Sequence, residues 1–481
     1  DCVRDLLSCG APMDSESFHE HFDYVKDVPL RVNSLRIEGN VKTRDWVIER
    51  EFAAVLESQT LDELKDRLVE ASSSLKDLDI FSYVDVECDA GPQDWVTTGS
   101  VDLVLTLKEK QTTALSAGTF VQGGEGSVEA TMKLRNLYGT ADTYEIQVEK
   151  GSQQSSTYTV SAVQPRLGGT DAEVEARVFK SDMSHQKHSS YKEDLQGFSS
   201  HFRSGNHELC YELAMRQISP TLPRASKMVE KHRGPQLKSS LKHTFMFDNR
   251  DSVYRPTAGI ALRCQTEVAG LGSTGANLLR FVRQELNAHV VIPFNYGLGI
   301  TLSGSAGVVL PWGDNWSTQV TSISDRFFIG GPSSLRGFRT RGIGPSDARR
   351  QGKEMEGKQS EKSSGKPKKE SKRDYLGGDL KWTGFAALTW RLPNRFLKAL
   401  DAQAQLFVDA GNLVPLSGLG VEGMRRTRDN LFNDFRVTTG VGITFPTRIG
   451  RVELNYCNVR RFKENDRVKQ GFQFGIMPVG W

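Results

Sequence analysis

The residues whose types suit bond-making chemistry are not spaced to perform it. Ser333 and Ser334 stand in Gly-Pro-Ser-Ser and lack the Gly-x-Ser-x-Gly elbow that presents a serine nucleophile. His185 with His188, and His19 with His21, are close pairs in polar surroundings, but neither pair has a third ligand. Gly440-Val-Gly442 has a strand running through it and no helix after it, so it is not a nucleotide loop. The cysteines at 2, 9, 88, 210, 264 and 457 form no Cys-x-x-Cys pair and no metal spacing, and are expected to be reduced and structural. The Asn315-Trp-Ser sequon bears only on a secreted chain. No catalytic residue, metal site or cofactor is expected. One run remains, Arg326-Phe-Phe-Ile-Gly-Gly-Pro-Ser-Ser-Leu-Arg-Gly-Phe338. Its arginines and glycines suit charge-assisted hydrogen bonding from a tight turn.

Such a turn must be positioned by the elements on either side. The chain has 481 residues, room for one very large domain or several ordinary ones. Its net charge of +3 is too balanced for a dedicated nucleic-acid binder. With 37% hydrophobic residues and a mean hydropathy of −0.44, wholesale disorder is not expected. Val290 to Gly313 is uncharged and long enough for a membrane helix of about 20 residues. It contains Pro293, Gly297, Gly299, Gly304, Gly307 and Pro311, which suit a strand, a turn and a second strand. A transmembrane β-barrel stays compatible with low hydropathy, because only alternate residues face lipid.

Residues 1–29 read as an acidic N-terminal segment, with neither a secretory signal nor an Arg-rich presequence. Residues 30–110 read as a small α+β domain. Leu35 and Ile37 alternate with polar residues, Ile48, Phe52 and Val55 then recur at helical spacing, and Leu61, Leu64, Leu68, Leu75 and Leu78 do so again. Two strand-like runs, Tyr83 to Glu87 and Val101 to Leu107, complete the order βααββ. From residue 111 to 481 the helical period disappears. Sixteen strand-like segments begin near residues 112, 127, 143, 157, 171, 191, 207, 237, 259, 278, 296, 382, 402, 435, 450 and 471. Many alternate strictly: Val128, Ala130, Met132 and Leu134 against Glu129, Thr131, Lys133 and Arg135, and Val452, Leu454 and Tyr456 against Arg451, Glu453 and Asn455. An even strand number with one apolar and one charged face predicts a transmembrane barrel over a soluble sandwich or propeller. Residues 346–375, with ten Lys/Arg and six Asp/Glu, read as a disordered, solvent-exposed insertion.

The run Leu335, Arg336, Gly337 and Phe338, preceded by Gly330 and Gly331 and placed between the eleventh and twelfth strands, resembles the Arg-Gly-Phe loop of the BamA-like superfamily of β-barrel assembly and transport proteins. Asp248-Asn-Arg-Asp251 with Pro256-Thr-Ala-Gly259, and Phe407-Val-Asp-Ala-Gly411, are similar to two further blocks of that superfamily, and the βααββ domain to its POTRA domain. One POTRA domain, Tyr375-Leu-Gly-Gly-Asp379 and Val452-Glu-Leu-Asn-Tyr-Cys457 resemble the barrel subunits of the mitochondrial sorting and assembly machinery, whereas the charged insertion departs from their compact loop. The fold so implied is mainly β: an N-terminal POTRA domain followed by a 16-stranded antiparallel transmembrane β-barrel.

In the thirteenth strand, alternation puts Gln403, Gln405, Phe407 and Asp409 on one face, so Asp409 is the expected lumen partner of Arg336, with Gly337 permitting the turn and Phe338 packing beside it. The last strand resembles the mitochondrial β-signal through Lys469, Gly471, Phe474 and Ile476. Phe472, Phe474 and Ile476 are expected on the lipid face, with Gly471 admitting a neighbouring backbone. The resemblance implies a non-enzymatic insertase in the mitochondrial outer membrane, its POTRA domain in the intermembrane space. Its implied partners are unfolded β-barrel precursors, the lipid bilayer, accessory subunits of the sorting and assembly machinery and intermembrane-space chaperones, with no nucleic acid. Client strands would be templated where the first strand, rich in small residues, meets the short last one. The alternative is a protein-conducting channel of the two-partner secretion or plastid-envelope import type. A soluble all-β enzyme is the third possibility.

Overall fold

A computed structural model describes residues 29–91, 99–122, 125–152, 155–221, 224–253, 255–272, 277–313, 321–350, 373–392, 400–418, 421–447 and 450–477. The acidic segment up to residue 28 and the middle of the charged insertion, residues 351–372, lie outside the described residues. The chain gathers into two compact units. The first holds the residues up to Ser116 with Thr131–Ile146 and Val160–Glu175, and the second holds the rest.

The first unit contains β1 (Arg31–Glu38), α1 (Asp45–Leu56), α2 (Leu61–Asp77), β2 (Phe81–Ala90) and β3 (Ser100–Glu109). β3 lies at the centre of the three-stranded sheet, parallel to β1 and antiparallel to β2. A parallel neighbour requires a crossover, and the two helices supply it. Thr60 caps α2 by accepting from the Glu63 amide at 3.3 Å, while the Glu63 carboxylate accepts from the Gln59 amide at 2.9 Å, a reciprocal arrangement that satisfies two donors at the helix start. Val101, Leu103, Leu105 and Leu107 of β3 point inward with Val47, Ile48, Phe52 and Val55 of α1 and Leu64 and Leu75 of α2. This is an ordinary apolar core. At the end of β3, the Glu109 carboxylate accepts from the Thr43 amide (2.8 Å), the Thr43 hydroxyl (2.6 Å) and the Lys42 amide (3.0 Å). Burial pushes the Glu109 carboxyl up, but the bonds from Thr43, Lys42 and Val41 outweigh it and hold the group below its usual range.

One sixteen-stranded antiparallel sheet follows. Its strands are β4 (Thr113–Gln122), β5 (Glu125–Arg135), β6 (Thr143–Gly151), β7 (Ser156–Gln164), β8 (Glu173–Ser184), β9 (Tyr191–Ser204), β10 (His207–Pro220), β11 (Gly234–Asp248), β12 (Gly259–Ala269), β13 (Phe281–Pro293) and β14 (Leu298–Pro311). After the short pair β15 (Ser346–Ala348) and β16 (Arg373–Tyr375) come β17 (Leu380–Arg391), β18 (Gln403–Val414), β19 (Arg436–Thr447), β20 (Gly450–Arg461) and β21 (Gly471–Met477). Each strand is bonded to its chain neighbours, β14 pairing directly with β17, and β4 and β21 stand at the two ends of the order. The uncharged stretch from Val290 is a strand, a tight turn at Asn295–Gly297 and a strand. Among the described residues no helix is long and apolar enough to cross a membrane.

The sheet wears its apolar residues outside. In β10, Leu209, Tyr211, Leu213 and Met215 are exposed while Cys210, Ala214, Arg216 and Ile218 are buried. In β5, Val128 and Met132 are exposed and Ser127 and Thr131 buried. Glu193, Lys238, Glu267, Asp409 and Glu453, from five different strands, all point to the covered face. Such a pattern leaves a wide apolar band unpartnered unless lipid covers it.

Two expectations need correction. Ser346–Ala348 and Arg373–Tyr375 pair with each other, and Asp374 and Tyr375 are buried, so the ends of the charged insertion are ordered. Asp374 accounts for this: its carboxylate accepts from the Ser190 hydroxyl, the Ser226 amide and Arg349, which ties the second limb down. Helical structure also does not end at residue 110. Besides α3 (Lys227–Glu230), a thirteen-residue helix α4 (Val421–Asn433) follows β18, held by Asn412 and Trp382 donating to carbonyls at its last turn. Only Thr427 and Leu431 of α4 are buried, too little apolar surface to print a helical period on the sequence.

Candidate functional site

Residues 327–343, between β14 and β17, pack into the covered face of the sheet. Phe327, Ile329, Leu335, Phe338 and Ile343 are buried there with Val309 of β14, Leu413 of β18 and Val459 of β20. Two glycines shape its tip. Gly330 (φ +113°) and Gly331 (φ +104°) occupy conformations that side chains avoid, and the turn closes with Gly331 and Leu335 paired through the Leu335 carbonyl at 3.1 Å. The Ser334 hydroxyl accepts from the Gly330 amide at 2.8 Å. This turn presents Arg336 to the wall.

Arg336 meets two carboxylates. Its Nε and Nη2 donate to Glu453 of β20 at 3.0 and 3.1 Å, a two-pronged match of planar groups. Its Nη1 reaches Asp409 of β18 at 3.4 Å, and the same Asp409 oxygen accepts from the Arg336 backbone amide at 2.9 Å. The guanidinium also lies 4.1 Å from the ring centre of Phe385 in β17 and 5.6 Å from that of Phe407 in β18. Asp409 therefore contacts Arg336, but Glu453 makes the better-aligned pair. Glu453 in turn accepts from Arg451 at 2.7 Å and Asn455 at 2.9 Å. The cluster balances two arginines against two carboxylates, which offsets part of the cost of burying charge.

The motif then runs along the last strands. The Gly337 amide donates to the Gln473 side-chain carbonyl in β21 at 2.9 Å, and the Gln473 amide group donates to the Phe338 carbonyl at 3.1 Å. Gly337 has φ +83°, and a Cβ there would come within 2.8 Å of Thr438 and Val459, so both conformation and space demand glycine. Phe338 bridges to Val468 and the Lys469 amide donates to the Gly337 carbonyl at 2.8 Å. The loop thus contacts β17, β18, β19, β20 and β21 within a few residues of Arg336.

The other expected residues are placed differently. Lys469 is exposed and contributes its backbone to the loop contact. Phe472 and Phe474 are exposed on the lipid side, but Ile476 is half-buried. Gly471 does not admit a close neighbour: nothing lies within 4 Å of where its Cβ would stand, and its φ of +96° is what requires glycine. Gln473 and Gly475 are the buried residues of this strand among those described, and Gln473 is the one whose side chain bonds the loop. Its only sequence signal was alternation with the two phenylalanines. Cys88, Cys210, Cys264 and Cys457 are free thiols, and among the described residues no group of three or more His, Cys, Asp or Glu is placed to hold a metal.

A sixteen-stranded barrel with its Arg-Gly-Phe loop clamped inside defines a class of outer-membrane protein. The profile of the Omp85 superfamily domain matches residues 136–476, and the chain belongs to that superfamily. Within it, the chain is similar to the sorting and assembly machinery component 50 homolog of Homo sapiens, 30% identical with 92% of this chain and 89% of that protein covered. The protein of the same name from Xenopus tropicalis is 29% identical, with 96% of each chain covered. In fold, the chain is similar to BamA from Haemophilus ducreyi lacking POTRA domains 1–3, with a TM-score of 0.71 at 18% identity, covering 92% of this chain and 84% of that one.

Proposed function

We propose that this protein is a non-enzymatic insertase that receives unfolded β-barrel precursors and assembles them into the mitochondrial outer membrane. The observation that carries this is the inside-out sheet whose interior loop is fastened to its C-terminal strands through Arg336, Glu453 and Gln473. The names of the relatives support the same assignment. An open conduit is less well supported, because the apolar loop cluster around Leu335 and Phe338 packs within the covered face.

The templating site is the junction of β4 and β21. β21 has seven residues against twelve in β20, and it pairs with β20 only over Arg451–Cys457. A short last strand makes a weak edge, where an incoming strand adds by backbone hydrogen bonds instead of leaving its polar groups bare in lipid. An even strand number puts the βααββ domain and the C-terminus on one side, the intermembrane space, where chaperones hand over precursors. Accessory subunits complete the machine, and the loop from Ser346 to Tyr375 faces the cytosol.

The test is depletion. Newly made β-barrel proteins should fail to assemble in mitochondria lacking this protein, while helical outer-membrane proteins insert normally. Equal loss of both classes would refute the assignment. Added protease should cut the charged loop in intact mitochondria, and cutting only after rupture of the outer membrane would invert the orientation.

A further inference from the structure

The Arg336 contacts fasten the tip of the interior loop. Its base is fastened elsewhere, by a second buried ion cluster on the opposite run of strands. Arg216 of β10 points to the covered face and grips Asp325, at the start of the loop, with Nη1 at 2.8 Å and Nη2 at 3.1 Å. Its Nε lies 2.8 Å from Glu193 of β9. All three side chains are less than a tenth exposed. Glu193 also meets His185 Nε2 at 3.3 Å, and the other nitrogen of His185 accepts from Arg341 at 3.0 Å. Arg341 lies past the tip on the same loop, so Asp325 and Arg341 both return to the wall formed by β9, β10 and the turn after β8. Between them the loop makes its excursion to Arg336 and back.

A buried arginine with two carboxylates is held only where geometry repays desolvation, and removing one partner leaves an uncompensated charge. Among the described residues, the carboxylate partners of Arg336 are Asp409 and Glu453 and those of Arg216 are Asp325 and Glu193, so the two clusters share no ion-pair partner. We propose that Arg216, Glu193 and Asp325 are positioning residues forming a base lock independent of the Arg336 tip lock, so that the tip can leave the C-terminal strands while the loop stays anchored inside the barrel. A movement of β18 to β21 then breaks at Arg336 and Gln473, not at the root of the loop. The inference concerns the loop alone and does not rest on the assembly function.

Two pairs of introduced cysteines, in a full-length chain with its six natural cysteines changed to alanine, report the two ends separately. Ser322→Cys with Gln236→Cys reports the base, where the native side chains meet at 2.9 Å. Arg339→Cys with Val468→Cys reports the tip beside the Phe338 bridge to Val468. With a short bis-thiol crosslinker on the membrane-embedded protein, Asp325→Asn should lower base crosslinking about tenfold and leave tip crosslinking unchanged, and Arg336→Ala should do the reverse. The exchanged pair Asp325→Arg with Arg216→Asp should restore base crosslinking, which a general loss of barrel stability would not allow. A fall of both reporters together in Asp325→Asn, or no recovery in the exchanged pair, would overturn independent locks.

Discussion

The βααββ domain and the barrel sheet are built from the same alternation of apolar and polar residues, and they bury opposite halves of it. In β3, Leu103 and Leu105 are inside and Asp102 and Thr106 look outward. In β10, Leu213 and Met215 look outward and Arg216 is inside. Water decides the first case and lipid the second. Where the surrounding solvent is hydrocarbon, the interior is the place for charge, and the fold is then held together inside by ion pairs where a soluble domain uses leucine. The Arg336 and Arg216 clusters are the barrel's counterpart of the Phe52 and Leu103 core.

If that contrast is correct, the largest effect of a single substitution should come from the charged interior. Glu453→Gln leaves Arg336 with Asp409 as its carboxylate partner, takes the charged partner from Arg451, and should destabilise the folded barrel by about 3–5 kcal/mol, measured by denaturant unfolding in detergent. Asp409→Asn should cost less, because Glu453 keeps the two-pronged contact. Arg336→Ala combined with Glu453→Gln should cost less than the sum of the two, since both remove one contact, and full additivity would show that the pair does not act as a unit.

Next come the paired leucines. Leu103→Ala should cost about 2–5 kcal/mol in the α+β domain, read by hydrogen exchange of β3 in the full chain. Leu213→Ala, at the same point in the alternation of β10 but facing lipid, should leave exchange in the barrel almost unchanged. Leu213→Lys should cost about 2–4 kcal/mol in the membrane, and a neutral result would argue that this face meets water.

A smaller effect is expected at the last strand. Gly471→Ala should cost about 1–2 kcal/mol from its left-handed backbone alone, because the new methyl has open space. Combined with Phe474→Ala it should slow membrane assembly of newly made protein, as expected if this strand is read as a β-signal. Unchanged assembly kinetics in isolated mitochondria would reduce the pattern to plain alternation.

The smallest is a pH effect confined to the α+β domain. Glu109 has a lowered pKa when folded, so its contribution is present above the unfolded value, about 4.3, and is lost as pH falls through the lower folded value. Amides of Val41 to Thr43 should lose exchange protection across that window, and Glu109→Gln should flatten the dependence.

Much of this was legible in the sequence for a physical reason. A bilayer imposes alternation on every strand, and all sixteen strand starts read from that alternation fall within three residues of the observed ones. Asp409 was legible because its strand offered one inward carboxylate. Glu453 was harder: alternation put it inward with Arg451 and Asn455, but a face is not a partner, and 117 residues separate it from Arg336. Asp325 and Arg216 were invisible for the same reason, since pairing across a lumen depends on where the loop turns back. Gly471 was recognised but for the wrong cause, because a glycine needed for φ and one needed for space look alike in sequence.

An insertase must itself speed the insertion of other barrels. Purified protein reconstituted in vesicles of outer-membrane lipid composition, mixed with an unfolded β-barrel precursor, provides the most direct measurement: the rate at which the precursor becomes protease-resistant and membrane-integrated. Vesicles with the wild-type chain should insert the precursor faster than empty vesicles, and vesicles with Arg336→Ala should fall between the two. Equal rates with and without the wild-type protein would contradict the assignment.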